Sequence, residues 1–222
     1  MESGFQYATV LARGWREDFF YFIILFMIVV DVEASGISSE KCSLVSVGAV
    51  DFSNPKNRFY EECRIWDGAH IEKEALQVNG FTKEQISDST KRSDGEVITD
   101  FLTWLDYIEE KTIAGQNPSF DRDFLQSTAH RYHIDWPLAH RSIDLHSVCY
   151  FDMQKRGIKQ PHLHGHSALN LDGILDYVGL PAEPKPHNAL TGALMEAEAF
   201  GRLFYGKPFL DEFFKYPFPI KP

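Results

Sequence analysis

Asp31, Glu33, Asp121 and His187 are residue types that hold divalent cations or move protons, and they stand in three segments far apart in the chain. The first segment is Asp31-Val32-Glu33, which follows the apolar run Ile28-Val29-Val30 and precedes Ala34-Ser35-Gly36. That pattern predicts a buried strand breaking into a turn. Successive side chains on a strand point to opposite faces, so residues two apart share one face, and Asp31 and Glu33 can present two carboxylates to one point. Two adjacent acids repel unless a cation lies between them. Hard cations such as Mg2+ take oxygen ligands, typically a few carboxylates plus substrate phosphates. In the second segment, Asn117 to Asp121, an acid sits one turn inside a helix start, where a carboxylate often only complements the helix dipole. The third, His187-Asn188-Ala189, leads into another helix. Taken singly each has a bland reading; as a set they describe a metal site.

The elements that must position these residues follow from periodicity. Leu44 to Phe52 and Arg58 to Ile65 read as strands and, with the strand ending at Glu33, make an antiparallel three-strand start. Ile71 to Val78 is predicted helical, Asn79-Gly80 a turn, Lys83 to Ile86 a helical turn, and Gly95 to Glu110 a long amphipathic helix. A short strand, Lys111 to Gly115, delivers Asn117 and Asp121, and Ser142 to Asp144 is another. Helices are expected at Leu145 to Met153, at Ser167 to Val178 with Ser167 as its cap, and at Ala189 to Phe204 after an extended approach held by Pro181, Pro184 and Pro186. Strands first and strand-helix alternation afterwards predict a layered α/β fold.

A chain of 222 residues with 44% hydrophobic content suits one globular domain. We place it at residues 25–206, with an N-terminal leader or extension at 1–24 and an aromatic, proline-punctuated tail at 207–222 that either packs over the domain or covers a partner subunit in a homodimer. The twelve-residue apolar run Phe19 to Val30 is shorter than the ~20 residues of a spanning helix, so no membrane association is expected. Cys42, Cys63 and Cys149 form no CxxC pair and predict free thiols, which suit a reducing cytoplasm. A net charge of -10 is the wrong sign for holding long nucleic acid on a basic surface, whereas capture of a strand end through metals needs few basic residues. Lys155, Arg156 and Lys159 form the most basic stretch and offer a phosphate-contacting patch. They precede His162, His164 and His166, which read as a loop, with a zinc or nickel site as the alternative. Trp15, Trp66, Trp104 and Trp136 share no spacing and read as packing residues.

These motifs resemble the DEDDh 3′-to-5′ exonucleases. Asp31, Glu33 and Gly36 match the family's DxExxG, NPSFD ending at Asp121 matches the second motif, and EALQVNGFT resembles the segment between the third strand and the long helix. His187, Ala189 and Ala193 match the third motif, HxAxxDA, with Gly192 where the family has aspartate. The resemblance covers about Leu25 to Gly206. It implies an RNase H-like mixed central sheet, three antiparallel strands then parallel ones, flanked by helices. It also implies hydrolysis of single-stranded DNA or RNA ends, or of short oligonucleotides, to 5′-mononucleotides with two Mg2+ or Mn2+ ions. Asp31 would bridge the ions, Glu33 hold the one at the attacking water, Asp121 support the other, and His187 deprotonate the water. Ala34, Ser35 and Gly36 would leave room for the 3′ end beside Asn117 and Phe120. Glu196, one turn beyond Gly192, leans toward the gap, yet roughly 6 Å of rise must be bridged by a helix shift or a water. Gly192→Asp is then expected to raise activity at low metal. The alternative is a nuclease-fold binding or scaffold protein whose catalysis ended with that aspartate.

Overall fold

The computed structural model describes residues 26–219. The expected leader at 1–24 and Trp15 lie outside them. The apolar run preceding Asp31 becomes β1 (Ile28–Ala34), flanked by β2 (Leu44–Asp51), which pairs on to β3 (Arg58–Glu62). All these pairings are antiparallel. Across the other edge of β1 come β4 (Ile113–Gly115) and β5 (Ser142–Asp144), both parallel, giving the order β3-β2-β1-β4-β5. This is the expected RNase H-like mixed sheet.

Strand parity then divides the core. Ile28, Val30, Val32 and Ala34 face one cluster, with Val97, Phe101, Phe124 and Leu125. These last come from α3 (Asp94–Leu105) and α4 (Pro118–Arg131). Met27 and Val29 face the opposite cluster, with Leu145, Ile174, Ala193, Ala197 and Phe200. Those belong to α5 (Leu145–Lys155), α6 (Leu171–Tyr177) and α7 (Ala189–Tyr205). Asp31 and Glu33 share the parity of Val29, so the alternation that builds the core turns both acids toward α7. Two shorter helices, α1 (Lys73–Asn79) and α2 (Lys83–Ile86), precede α3.

Several boundaries differ from expectation for identifiable reasons. β3 stops at Glu62 because Arg64 leaves the ladder to bridge Ser93. α3 starts at the Ser93–Glu96 capping box but ends at Leu105, five residues short of Glu110. The expected cap Ser167 does not start α6; Asn170 does, its side chain accepting from Gly173 N. Ser167 belongs instead to a hairpin of β6 (His162–Leu163) and β7 (His166–Ser167), where a loop was expected. The hairpin turns at His164 (φ 49°), so the three histidines lie on two strands and a turn rather than on one extended face. Arg156 of the basic stretch is paired with Asp152 at 2.9 Å.

The aromatic tail packs on its own domain: Phe209, Phe213, Tyr216 and Phe218 lie against the α7-side cluster. A fully buried guanidinium fastens it. Arg202 donates to Glu198 Oε1 (2.6 Å) and to the carbonyl oxygens of Val178, Phe213, Tyr216 and Pro217. Glu198 Oε2 accepts the Phe209 and Leu210 N–H groups. Cys42, Cys63 and Cys149 are buried free thiols, and Trp104 and Trp136 pack against the core as expected. Among the described residues no helix is long and apolar enough to cross a membrane.

Candidate active site

Glycines allow the two principal elements to meet. Gly48 on β2 is the register partner of Asp31, and a Cβ there would overlap the Ala189 carbonyl at the start of α7. The first turn of α7 therefore rests directly on the sheet beside the acids. Asn188 caps that turn by accepting from Thr191 N, and its Nδ2 donates to Tyr60 Oη at 2.8 Å. His187 is held by its N–H donating to Val78 O at 3.0 Å. Gly80, at φ 75°, has no Cβ to strike Pro186, so the end of α1 and the proline-rich connection close together. Asp121 reaches β1 from α4, its Oδ1 accepting Val32 N at 3.0 Å beyond the point where β4 stops pairing.

Asp31, Glu33, Asp121 and His187 thus line one cleft of about 370 Å³, together with Asn117, Phe120 and Glu196. Four further acids or polar groups were not singled out from the sequence: Glu183, Asp172, Asn170 and Gln116. Six carboxylates converge, and the lining contains no Lys or Arg. The electrostatics follow. Burial, then the charges of Asp121, Glu196, Glu33 and Glu183, hold Asp31 well above the ordinary carboxylate range. Burial, then Glu183 and Asp121, push Glu33 to about 8. Burial raises Asp121 to about 7, against the hydrogen bond from Val32, and raises Glu183 to about 7 with help from Asp172. Burial and then Lys185 lower His187, which keeps the imidazole neutral and able to accept a proton.

The acids fall into two groups about Asp31. After burial, Asp121 is the leading charge that raises Glu196 on the β4 side, where Glu196 Oε2 stands 3.1 Å from the position of a Cβ on Gly115. Glu33, Glu183 and His187 make the other group, with ligand atoms all within 4.8 Å of one another and Glu183 Oε2 3.5 Å from His187 Nδ1. Glu183 Oε1 and Glu196 Oε2 are buried without a hydrogen-bond partner. Orphaned buried carboxylate oxygens are costly unless a cation satisfies them, so the residues present fit hard divalent ions.

Three sequence expectations need correction. Ala34, Ser35 and Gly36 are buried and do not line the cleft. Ser35 Oγ is committed to His70 O (2.7 Å) and Ser43 N (2.9 Å), and a Cβ on Gly36 would stand 2.5 Å from Cys42 Sγ. Glu196, expected to lean toward the gap at Gly192, is 4% exposed and is not among the atoms nearest that gap; Asp121 is the leading charge on it. The gap at Gly192 is not empty either. A Cβ there would overlap Asp31 Oδ2, lie 2.9 Å from Asp31 Cγ and 3.3 Å from Glu183 Oε1.

Comparison with known proteins accords with this geometry. The family described as the 3′-5′ exoribonuclease Rv2179c-like domain matches residues 27–203. The PolC-type DNA polymerase III of Thermotoga maritima is 25% identical over 176 residues, covering 79% of this chain and 12% of the polymerase. The chain thus spans about an eighth of that relative's length. The 3′-5′ DNA exonuclease Cap18 of Escherichia coli is 28% identical over 176 residues, covering 77% of this chain and 87% of that protein. The nuclease domain of 3′hExo, a DEDDh family member solved with rAMP bound, superposes with a TM-score of 0.61 at 14% identity, covering 89% of this chain and 97% of that one.

Proposed function

We propose the following function for a chain that belongs to the 3′-5′ exoribonuclease Rv2179c-like domain family: it is a metal-dependent 3′-to-5′ exonuclease of the DEDDh type that trims single-stranded nucleic acid to 5′-mononucleotides. The observation that carries this is the grouping of acids on both sides of Asp31, with a neutral histidine at the rim of the cleft. Asp31, Glu33, Asp121 and Glu196 are the residues that would hold the ions, with Mg2+ or Mn2+ favoured by an all-oxygen donor set. Divalent cations bound there would offset phosphate charge and make water more acidic. No Lys or Arg lines the cleft to draw in a phosphodiester, so the substrate depends on those cations for charge balance.

His187 takes the proton of the attacking water. Its imidazole is partly buried and lowered below its ordinary value, so it is neutral near pH 7, and its backbone N–H is tethered to Val78 O. Asn117, exposed in the left-handed conformation (φ 57°), and Phe120, packed on Phe124 at 4.9 Å between ring centroids, flank the mouth and would face the terminal nucleotide. The relatives' descriptions name both RNA and DNA as substrates, so both are tested. Single strands of each, labelled at the 5′ end, should give a stepwise ladder with Mg2+ or Mn2+ that disappears in His187→Ala. Absence of a ladder from the parent protein on both strands and with both ions would sink this reading.

A further inference from the structure

We infer that Glu183 takes the place of the carboxylate missing at position 192, serving as a ligand for the divalent cation on the Glu33 side of Asp31; the inference rests on the metal-dependent reading above. The family resemblance leaves a gap of one acid at Gly192, and the structure places a different acid against that gap. Glu183 Oε1 lies 3.3 Å from the point where a Cβ on residue 192 would stand.

Two observations independent of that proximity point to a ligand. The Glu183 side chain is only 7% exposed, yet its Oε1 has no hydrogen-bond donor. A buried carboxylate oxygen without a donor or countercharge is destabilising, and no Lys or Arg lines the cleft to supply one. Its ligand oxygen also lies within 4.8 Å of one from Glu33, so the two carboxylates can reach a single ion with the His187 imidazole left beside it as base. The backbone aims the side chain: Glu183 N donates to Asp172 Oδ1 at 3.3 Å, and Pro184 follows with a fixed φ.

Glu196, the other orphaned acid, does not compete for this role. Its Oε2 stands by Gly115 at the end of β4, 3.1 Å from a Cβ there, and is not among the atoms nearest the Gly192 position. The glycine and the glutamate are therefore complementary. Asp31 and Glu183 occupy the volume a side chain at 192 would need, so an acid delivered by the connection before α7 requires a residue without Cβ on α7 itself.

The test measures Mn2+ binding by titration calorimetry, with Mn2+-dependent thermal stabilisation, on the full chain and on Glu183→Gln, Glu183→Asp and Glu196→Gln. Loss of groups merely supporting a metal site costs about 10- to 100-fold in affinity, so loss of a direct ligand should weaken one ion by at least about 10-fold. Glu183→Asp should fall between parent and Glu183→Gln, and Glu183→Gln should require more Mg2+ for oligonucleotide hydrolysis. Glu183→Gln keeps the side chain's size and shape while removing its charge, so circular dichroism should show an intact fold. Should Glu183→Gln bind Mn2+ as the parent does while the pH profile of hydrolysis shifts, Glu183 merely orients His187; the inference falls and the nuclease reading stands. A parent that binds no Mn2+ and releases no mononucleotides overturns both.

Discussion

Stripping divalent cations from this protein should make its stability depend steeply on pH, and Glu33 sets the scale. Burial first, and then the neighbouring Glu183 and Asp121 charges, raise its carboxyl from the ordinary 4.5 to about 8. A folded-state value above the unfolded one means that the native protein holds the proton more tightly. The contribution is fully present below about 4.5 and is lost as pH climbs through about 8. At about 1.4 kcal/mol per pH unit, ionising Glu33 in the chelated fold costs up to about 5 kcal/mol. Glu183 and Asp121, each raised to about 7, push in the same direction without adding independently. That is a large share of a typical domain's stability of about 5–15 kcal/mol. Urea unfolding in EDTA at about pH 5 and about pH 9 measures it directly. The chelated parent should be less stable at the higher pH, millimolar Mn2+ should remove most of the difference, and Glu33→Gln in EDTA should be the more stable protein at high pH. Equal stability of the chelated parent at both pH values would refute the picture of a strained acid cluster.

Other substitutions probe the supports. Arg202→Met leaves Glu198 buried without its countercharge and frees the tail, so unfolding should come about 3–5 kcal/mol earlier, with proteolysis opening first near Phe209 to Pro217; denaturant melts and limited digestion check both. Gly48→Ala forces β2 away from the Ala189 carbonyl, with an overpacking cost of about 1–3 kcal/mol and weaker Mn2+ binding, measured by thermal melts and calorimetry. Gly192→Asp, which the sequence motif alone would rate as a repair, should instead lower metal affinity, because its Cβ displaces the Asp31 carboxylate; higher activity at low Mg2+ would contradict that.

The sheet and the gathering of Asp31, Glu33, Asp121 and His187 into one cleft were legible because their signals are local. A two-residue period puts Asp31 and Glu33 on one face, and the helical runs that follow the short strand and the prolines place Asn117, Asp121 and Asn188 at helix starts. Glu183 was not legible. It lies among prolines with no periodicity, and its role depends on a contact across space with Gly192 and His187. Glu196 shows the intermediate case: helical spacing correctly turned it inward, but only the position of β4 decides that it joins Asp121 instead of Glu33. Ala34-Ser35-Gly36 misled because small residues after a strand suit an open ligand shelf and a tightly packed turn equally well. Here the Ser35 hydroxyl is spent on the second.

α7 is fixed near both ends, through Asn188 to Tyr60 at its start and through Arg202 to the tail near its finish. A beam pinned in this way cannot slide along its axis to compensate for a shortened or lost carboxylate. Tuning of the pocket, by natural drift or by engineering, must therefore work through the prolyl connection ahead of it, where length and composition can change without recutting the hydrophobic interior.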